Sequence, residues 1–352
     1  MIFKKLKINS VTLKNRIAIS PMCQYSAIDG SPSDWHYTHL QKLSSSGASL
    51  VILESTAISK EGRISNSDLC LFNNSQKKKI KKLISFLKKN NDIKFGIQLS
   101  HAGRKGSSFV PWIKTNCALP KKQSWQTLSA SEIPRDKGWP KPKAMSNNDI
   151  KNLIKNFKKS TSMAKSIGFD CLEIHMAHGY LLHQFFSPIS NKRNDNYGGN
   201  FQNRSRLLLE VAKEVRKIWP KKKILGARIT GEDNLKGGIT TKDAIILSRE
   251  LKKIGFDYIS VTSGGILPKT KMKQYEGFRT KIAANIKTKS KIITTTTGML
   301  TQHGFVSNII KNKKLDFITV ARIIIRRPTW IYELAKKNNF KNLIPKQYQR
   351  IL

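Results

Sequence analysis

Eight short, nearly continuous apolar runs recur along the chain: Arg16 to Ser20, Ser49 to Ser55, Lys94 to Ser100, Cys171 to Ala177, Ile224 to Thr230, Tyr258 to Gly264, Lys291 to Thr297 and Phe317 to Arg322. Strands that are apolar in both phases are buried on both faces, as in a parallel sheet. Helix-like segments separate them. One begins at Ser146-Asn-Asn-Asp149, places Ile150, Leu153, Ile154 and Phe157 on one face, and stops at Gly168. A second runs from Thr240-Thr-Lys-Asp243 to Gly255. A polar cap with an acid three residues on, and a terminal glycine, are helix boundary signals. The endings Ile167-Gly168-Phe169-Asp170 and Ile254-Gly255-Phe256-Asp257 lie 255 − 168 = 87 residues apart, two strand-helix units, as a weak internal repeat.

Strands alternating with helices admit an open doubly wound sheet or a closed barrel, and eight strands favour the α/β (β/α)8 TIM barrel. No GxGxxG follows any strand, so a Rossmann dinucleotide site has no support. A chain of 352 residues fits such a barrel as one unit. The connection from Gly106 to Asn147, rich in Pro, Lys and Trp, is too long for a plain turn and is expected to cap the C-terminal mouth. The expected organisation is a barrel over 1–340, with a lid at 106–147, and a C-terminal tail at 341–352.

With 39% hydrophobic and 25% charged residues, the composition supports a large core, and no run approaches the roughly 18 apolar residues of a membrane helix. The charged N-terminus lacks the apolar stretch of a signal peptide. Cys23, Cys70, Cys117 and Cys171 have no CxxC spacing, which argues against a zinc or iron-sulfur cluster and fits a reducing, cytoplasmic setting. The net charge of +43 is spread along the chain; Lys77-Lys78-Lys79, Lys81-Lys82, Lys158-Lys159, Lys221-Lys222-Lys223 and Lys252-Lys253 are interleaved with apolar positions. This is the pattern of solvated outer faces rather than of a nucleic-acid site.

In a barrel, polar residues at the C-terminal strand ends are the functional candidates. They are Ser20 to Cys23, Glu54-Ser55, Gln98, His101, His175, His178, Arg228, Ser263-Gly264, Thr297-Gly298 and Arg322. Such a ring suits a bound cofactor. His175-Met-Ala-His178-Gly-Tyr180 admits three readings: a metal pair with His183 as a third ligand, structural histidines, or a substrate clamp.

Several stretches together resemble the old yellow enzyme family of FMN-dependent ene-reductases, in particular its bacterial xenobiotic-reductase branch. They are Leu13-Lys-Asn-Arg-Ile17, Ser20-Pro-Met-Cys-Gln-Tyr25, Gly62-Arg-Ile64, Gly96-Ile-Gln-Leu-Ser-His-Ala-Gly-Arg-Lys105, His175-Met-Ala-His-Gly-Tyr180, Ser187-Pro188, Asn191 to Gly199 and Asn203-Arg204. The resemblance implies FMN as cofactor, NADPH or NADH as electron donor, and reduction of α,β-unsaturated carbonyl or nitro compounds. It implies that His175 and His178 bind the substrate oxygen, Tyr180 delivers a proton, and Tyr25 contacts substrate. Ser20, Pro21, Met22, Cys23, Ser55, Gln98, Arg228, Gly298, Ala321 and Arg322 would hold the cofactor, with Arg228 near the flavin N1 and O2. A homodimer or homotetramer is implied, in which Arg350 of the tail reaches a neighbouring site. Departures are Ala321, where the family usually has Gly; Ser55, where this branch more often has Ala; and Ile351-Leu352, where relatives end in Trp or Gly-Trp. Two other function classes compete. A dihydrouridine-synthase-like barrel acting on RNA would need an appended helical domain, but only about 30 residues follow the eighth strand. A non-catalytic basic scaffold would bind no FMN.

Overall fold

The computed structural model describes residues 1–268 and 272–350. A short antiparallel hairpin, β1 (Leu6–Ile8) and β2 (Val11–Leu13), precedes the barrel. The barrel strands are β3 (Ile17–Ile19), β4 (Leu50–Ala57), β5 (Lys94–Ser100), β8 (Cys171–Met176), β9 (Ile224–Thr230), β10 (Tyr258–Thr262), β11 (Ile293–Thr296) and β12 (Ile318–Val320). Each falls inside or within a few residues of an apolar run in the sequence. A two-residue pair, β6 (Leu128–Ser129) with β7 (Lys143–Ala144), lies between the third and fourth barrel strands. The helices are α1 (Asp34–Ser44), α2 (Asn74–Asn90), α3 (Asn147–Ile167), α4 (Leu181–Phe186), α5 (Phe201–Ile218), α6 (Thr241–Ile254), α7 (Thr280–Ser290), α8 (His303–Lys311), α9 (Arg322–Arg326) and α10 (Trp330–Lys337).

The eight strands are ordered β11-β10-β9-β8-β5-β4-β3-β12, all parallel. Across the remaining seam, Asp316 N–H donates to the Thr294 carbonyl at 3.1 Å, and Thr319 Oγ1 donates to the Thr296 carbonyl at 2.9 Å. The cylinder is thereby a nearly closed TIM barrel.

Side chains along β8 show how the sequence divides inside from outside. Successive residues of a strand point to opposite faces. Leu172, Ile174 and Met176 join the large apolar cluster beneath the helices. Cys171 belongs instead to a second cluster inside the barrel, with Tyr258, Phe317, Ala18 and Ile52, onto which Ile8 and Leu13 of the hairpin pack as a plug. Helices cover the outside by the same logic. On α2, Ile80, Leu83, Ile84 and Leu87 are buried while Lys78, Lys79, Lys81 and Lys82 are exposed. Each such buried aliphatic side chain stabilises the fold by about 1.5–3 kcal/mol.

The repeated Gly-Phe-Asp endings have a structural job. Asp170 accepts from Phe95 N–H at 3.0 Å while its own N–H donates to the Phe95 carbonyl at 2.8 Å. Asp257 does the same with Leu225, both at 2.7 Å. Asp316 repeats the pattern on Thr294, at 2.9 and 3.1 Å. Each aspartate clasps the foot of the preceding barrel strand, so the bottom rim is built in two-strand units. Gly168 and Gly255 sit at φ +96° and +102°, the left-handed conformation that ends a helix just before each clasp.

Candidate active site

The opposite rim carries the candidate site, which rests on a polar layer inside the barrel. Glu173, two residues before His175 on the inward face of β8, accepts from Gln98 Nε2 at 2.6 Å and from the Tyr258 hydroxyl at 2.8 Å. Burial pushes its carboxyl above the ordinary value, with Arg228 opposing the rise. Gly226 lies between Glu173 and Tyr258 in register. A Cβ there would stand 2.1 Å from the Tyr258 ring, so glycine makes the room that the phenol occupies.

Above this layer Arg228 crosses the mouth, Nη1 donating to Ser20 Oγ at 2.9 Å. Its Nε is buried without a partner among the described residues. An unpaired buried guanidinium N–H is costly, and a cofactor acceptor would satisfy it. Ser20 N–H donates to the Val320 carbonyl at 2.9 Å, which fixes the start of the Ser20–Tyr25 loop. Pro21, Met22 and Cys23 follow, half-buried. A bulge in β4 frees Glu54 from the ladder. Glu54 accepts from Gln24 N–H at 2.9 Å and lies 3.2 Å from His36 Nε2, holding the loop from below. Ser55, beside it, is buried. Burial, then Glu54 and Asp68, push the Cys23 thiol well up, which keeps it protonated.

The His175–Tyr180 segment forms one wall. His175 Nδ1 accepts from Ala177 N–H at 3.2 Å, which leaves its proton on Nε2. That atom is 3.2 Å from His178 Nδ1, and His178 Nε2 is 2.9 Å from Thr262 Oγ1. The two histidines therefore bond each other rather than pointing two free donors into the mouth. Burial, followed by Arg228, holds both imidazoles well below the ordinary histidine value, so both are neutral. Tyr180 packs against His175 with ring centroids 4.6 Å apart. Burial keeps its phenol protonated. Tyr25 and His178 adopt φ +49° and +56°, conformations that cost about 1–3 kcal/mol for such residues and cluster at functional sites. Gly179 meets the Gly265 carbonyl so closely that a Cβ would lie 2.2 Å from it.

His183 does not join the pair. It lies 3.0 Å from Asp233 through Nε2 and accepts from Gly179 N–H at 2.7 Å through Nδ1. Among the described residues no group of three His, Cys, Asp or Glu is placed to hold a metal ion. The four cysteines are free thiols. His101 is buried and accepts from Gly103 N–H at 3.0 Å, bracing the turn after β5.

On the far side, three arginines converge. Arg279 Nε donates to Ser263 Oγ at 2.9 Å and Nη1 to the Thr297 carbonyl at 3.3 Å. Burial, then Arg228 and Arg322, bring it down to about 10. No carboxylate lies within ion-pair distance of any of the three among the described residues. Gly298, at φ +133°, closes the cradle; a Cβ there would meet Arg279 Nη1 at 3.0 Å. Ala321 precedes α9, and Arg322 opens it, exposed. The loops after the last barrel strands are where TIM barrels hold phosphate, and three arginines beside a glycine turn, none of them in an ion pair among the described residues, fit a phosphate-bearing cofactor such as FMN.

The segment after β5 touches the Ser20–Tyr25 loop. Trp112 packs edge-on to Tyr25 at 6.0 Å, and Arg104 donates to the carbonyls of Ile133 at 3.2 Å and Pro134 at 3.3 Å. Arg350 of the tail is exposed, and Ile351-Leu352 lie outside the described residues. Glu173, Thr262, Lys105, Arg135 and Arg279 had no role in the sequence reading. Of these, Lys105 ends the stretch Gly96 to Lys105 that carries part of the resemblance, and Glu173 left a signal in its two-residue spacing from His175.

The family model for the NADH:flavin oxidoreductase / NADH oxidase family matches residues 1–341. A protein of Listeria innocua serovar 6a named NADPH dehydrogenase is 37% identical over 351 residues, covering 99% of this chain and 98% of the relative. One of the same name from Geobacillus sp. (strain WCH70) is 35% identical over 352 residues, covering 99% and 98%. Among solved structures, morphinone reductase superposes with TM-score 0.79 at 22% identity, covering 96% of this chain and 89% of that one. A 2-naphthoyl-CoA reductase complex superposes at 0.86 and 21% identity, covering 96% and 52%. No helix among the described residues is long and apolar enough to cross a membrane. The chain is an enzyme of the NADH:flavin oxidoreductase / NADH oxidase family, the old yellow enzyme family, with FMN as cofactor and a nicotinamide as electron donor.

Proposed function

We propose that the enzyme uses NADPH to reduce activated C=C bonds of α,β-unsaturated carbonyl or nitro compounds. The observation that carries this reading is the wall of His175, His178 and Tyr180 facing a mouth whose floor is Arg228. Bound FMN would supply the hydride chemistry that links the nicotinamide to the substrate β-carbon. Ser20, Pro21, Met22, Cys23, Ser55, Gln98 and Arg228 would line the flavin, and Gly298, Ala321, Arg322 and Arg279 its phosphate.

The protein's own part is polarisation and protonation. Thr262 Oγ1 can donate to His178 Nε2 as well as accept from it. When it donates, His178 carries its proton on Nδ1 and faces the Nε2 proton of His175. Two donors converging in this way favour a substrate oxygen between them and stabilise the negative charge that develops there. Tyr180, kept protonated by burial, then delivers a proton to the α-carbon. Overall the alkene gains one hydride and one proton while NADPH is oxidised to NADP⁺. The exposed Arg350 is proposed to complete the substrate site of a second copy; removal of the last five residues should then raise KM.

The test is spectroscopic. The purified protein should be yellow, lose its flavin absorbance on anaerobic addition of NADPH, and recover it on addition of 2-cyclohexenone. A protein that binds no flavin, or a reduced flavin that the enone fails to reoxidise, would refute the reading.

A further inference from the structure

Three cations stand on the lid side of the mouth without a role so far: Arg104, Lys105 and Arg135. Arg104 is buried and spends its guanidinium on the carbonyls of Ile133, Pro134 and Ile266, the last at 2.9 Å. This clamp fixes the backbone that leads directly into Arg135. The Arg135 guanidinium lies 4.5 Å over the Trp139 ring, and its Nη2 donates to Asn116 Oδ1 at 2.7 Å. Its plane is thus set before any ligand arrives, with no other hydrogen bond from the group among the described residues. Lys105 Nζ donates to the His178 carbonyl at 2.8 Å and lies 5.2 Å over the Tyr180 ring, leaving two of its three protons unspent.

No carboxylate stands within 4 Å of any of the three among the described residues. The exposed Asp136 is the acid that acts on Arg135 from nearby, alongside the phenols of Tyr180 and Tyr25. Burial, then Arg135 and Arg104, bring the Lys105 ammonium down to about 7. Like charges held together in a partly dry space destabilise one another, and an anion placed among them relieves that cost. The spare Lys105 protons lie next to the phenol that would protonate the substrate, and the same phenol acts on the Arg135 charge.

We infer that Arg135 and Lys105 form an oxyanion subsite, and that the preferred substrates are activated alkenes carrying a second, anionic group remote from the carbonyl that His175 and His178 hold. A carboxylate conjugated to the alkene withdraws electrons too weakly to replace that carbonyl, so the two groups must be distinct; a 4-oxo-2-enoate has this pattern. The inference rests on the proposed function. The same oxyanion chemistry could be met by the pyrophosphate of the nicotinamide donor, and the experiment separates the two.

Steady-state kinetics on the holoenzyme would compare 4-oxopent-2-enoate with its methyl ester, for the wild type, Arg135→Gln and Arg135→Lys. In parallel, flavin absorbance titrations with the saturated 4-oxopentanoate and its methyl ester would give dissociation constants without turnover, and anaerobic stopped-flow would give the NADPH concentration dependence of flavin reduction. The wild type should favour the acid by about tenfold or more in kcat/KM, carried by KM, as expected for one charge-assisted hydrogen-bonded pair. Arg135→Gln should bring the acid-to-ester ratio near one in both kinetics and binding, and Arg135→Lys should keep part of it. A wild type indifferent to the charge, or an Arg135→Gln variant with an unchanged ratio, overturns the substrate assignment. If Arg135→Gln weakens only NADPH, the subsite belongs to the donor and the assignment is likewise overturned. Failure of flavin reduction by NADPH, or of reoxidation by cyclohexenone, strikes the proposed function instead.

Discussion

Gln98 Nε2 donates to Glu173 Oε1 at 2.6 Å across neighbouring strands, and that bond decides how the Gln98 amide faces a ligand. With one N–H committed to Glu173, the amide oxygen and the second N–H remain for the acceptor-donor edge of a flavin. In Glu173→Gln one carboxylate oxygen becomes an NH2 donor, so either the Gln98 amide flips to accept from it or the Tyr258 hydroxyl turns to accept, and the pair of bonds to one carboxylate is lost. The variant should lose about 1–3 kcal/mol in urea unfolding and bind FMN more weakly because Gln98 can flip. Unchanged stability and unchanged FMN affinity would remove Glu173 from this positioning role.

Arg279 should read the phosphate of the cofactor and ignore its ring. Quenching of flavin fluorescence on titration into apoprotein measures both ligands separately. Arg279→Gln should weaken FMN by about ten- to a hundredfold, the worth of a charged hydrogen bond, and leave riboflavin affinity within about twofold. The Arg279 guanidinium also lies 4.4 Å over the Phe278 ring, and equal losses for the two flavins would assign it to that packing.

Tyr180→Phe keeps the ring against His175 and removes the proton. Loss of a general acid slows its step by about 10²–10⁴-fold. The deficit should fall on reoxidation by cyclohexenone, with reduction by NADPH at near wild-type rate in stopped flow. A deficit shared by both half-reactions would mean that the hydroxyl serves binding instead.

Acid should unfold this protein partly through its histidines. His175 and His178 are held below their unfolded value by burial, and His101 is brought down to about 4 for the same reason. Neutral in the folded state, they contribute stability present above pH about 6.5 that is lost as pH falls below it, because the unfolded chain takes up the protons. The ceiling is about 1.4 kcal/mol per pH unit for each imidazole. Asp68, raised by burial to about 7, works the other way and stabilises as pH falls from there toward 4. The double variant His175→Asn/His178→Asn should therefore lose less unfolding free energy than the wild type between pH 7 and pH 5. An identical loss would show that the pair is already solvated in the fold.

The barrel was legible in the sequence because its signals are local. Continuous apolar runs mark strands covered on both sides, and capping boxes at Ser146 and Thr240 with glycines at 168 and 255 set helix ends where the structure has them. The hairpin at Leu6–Leu13 has no such signal, since its strands are three residues each and a polar residue sits in the middle of both. The site was legible where it follows a contiguous motif, as from His175 to Tyr180. Residues whose meaning lies in a distant partner left no trace: Arg279 is defined by Arg228 and Arg322, and Arg135 by what Arg104 does to Ile133 and Pro134. His178 turns on Thr262, 84 residues away, and spacing alone could not show that bond.

The aspartate clasps at Asp170, Asp257 and Asp316 give the molecule a mechanical polarity. Closure is secured at the rim farthest from the substrate, by bonds that no mouth residue shares. Loops above that rim can lengthen, gain an arginine or exchange a glycine for Ala321 without loosening the cylinder. The enzyme's selectivity can drift while its framework stays fixed.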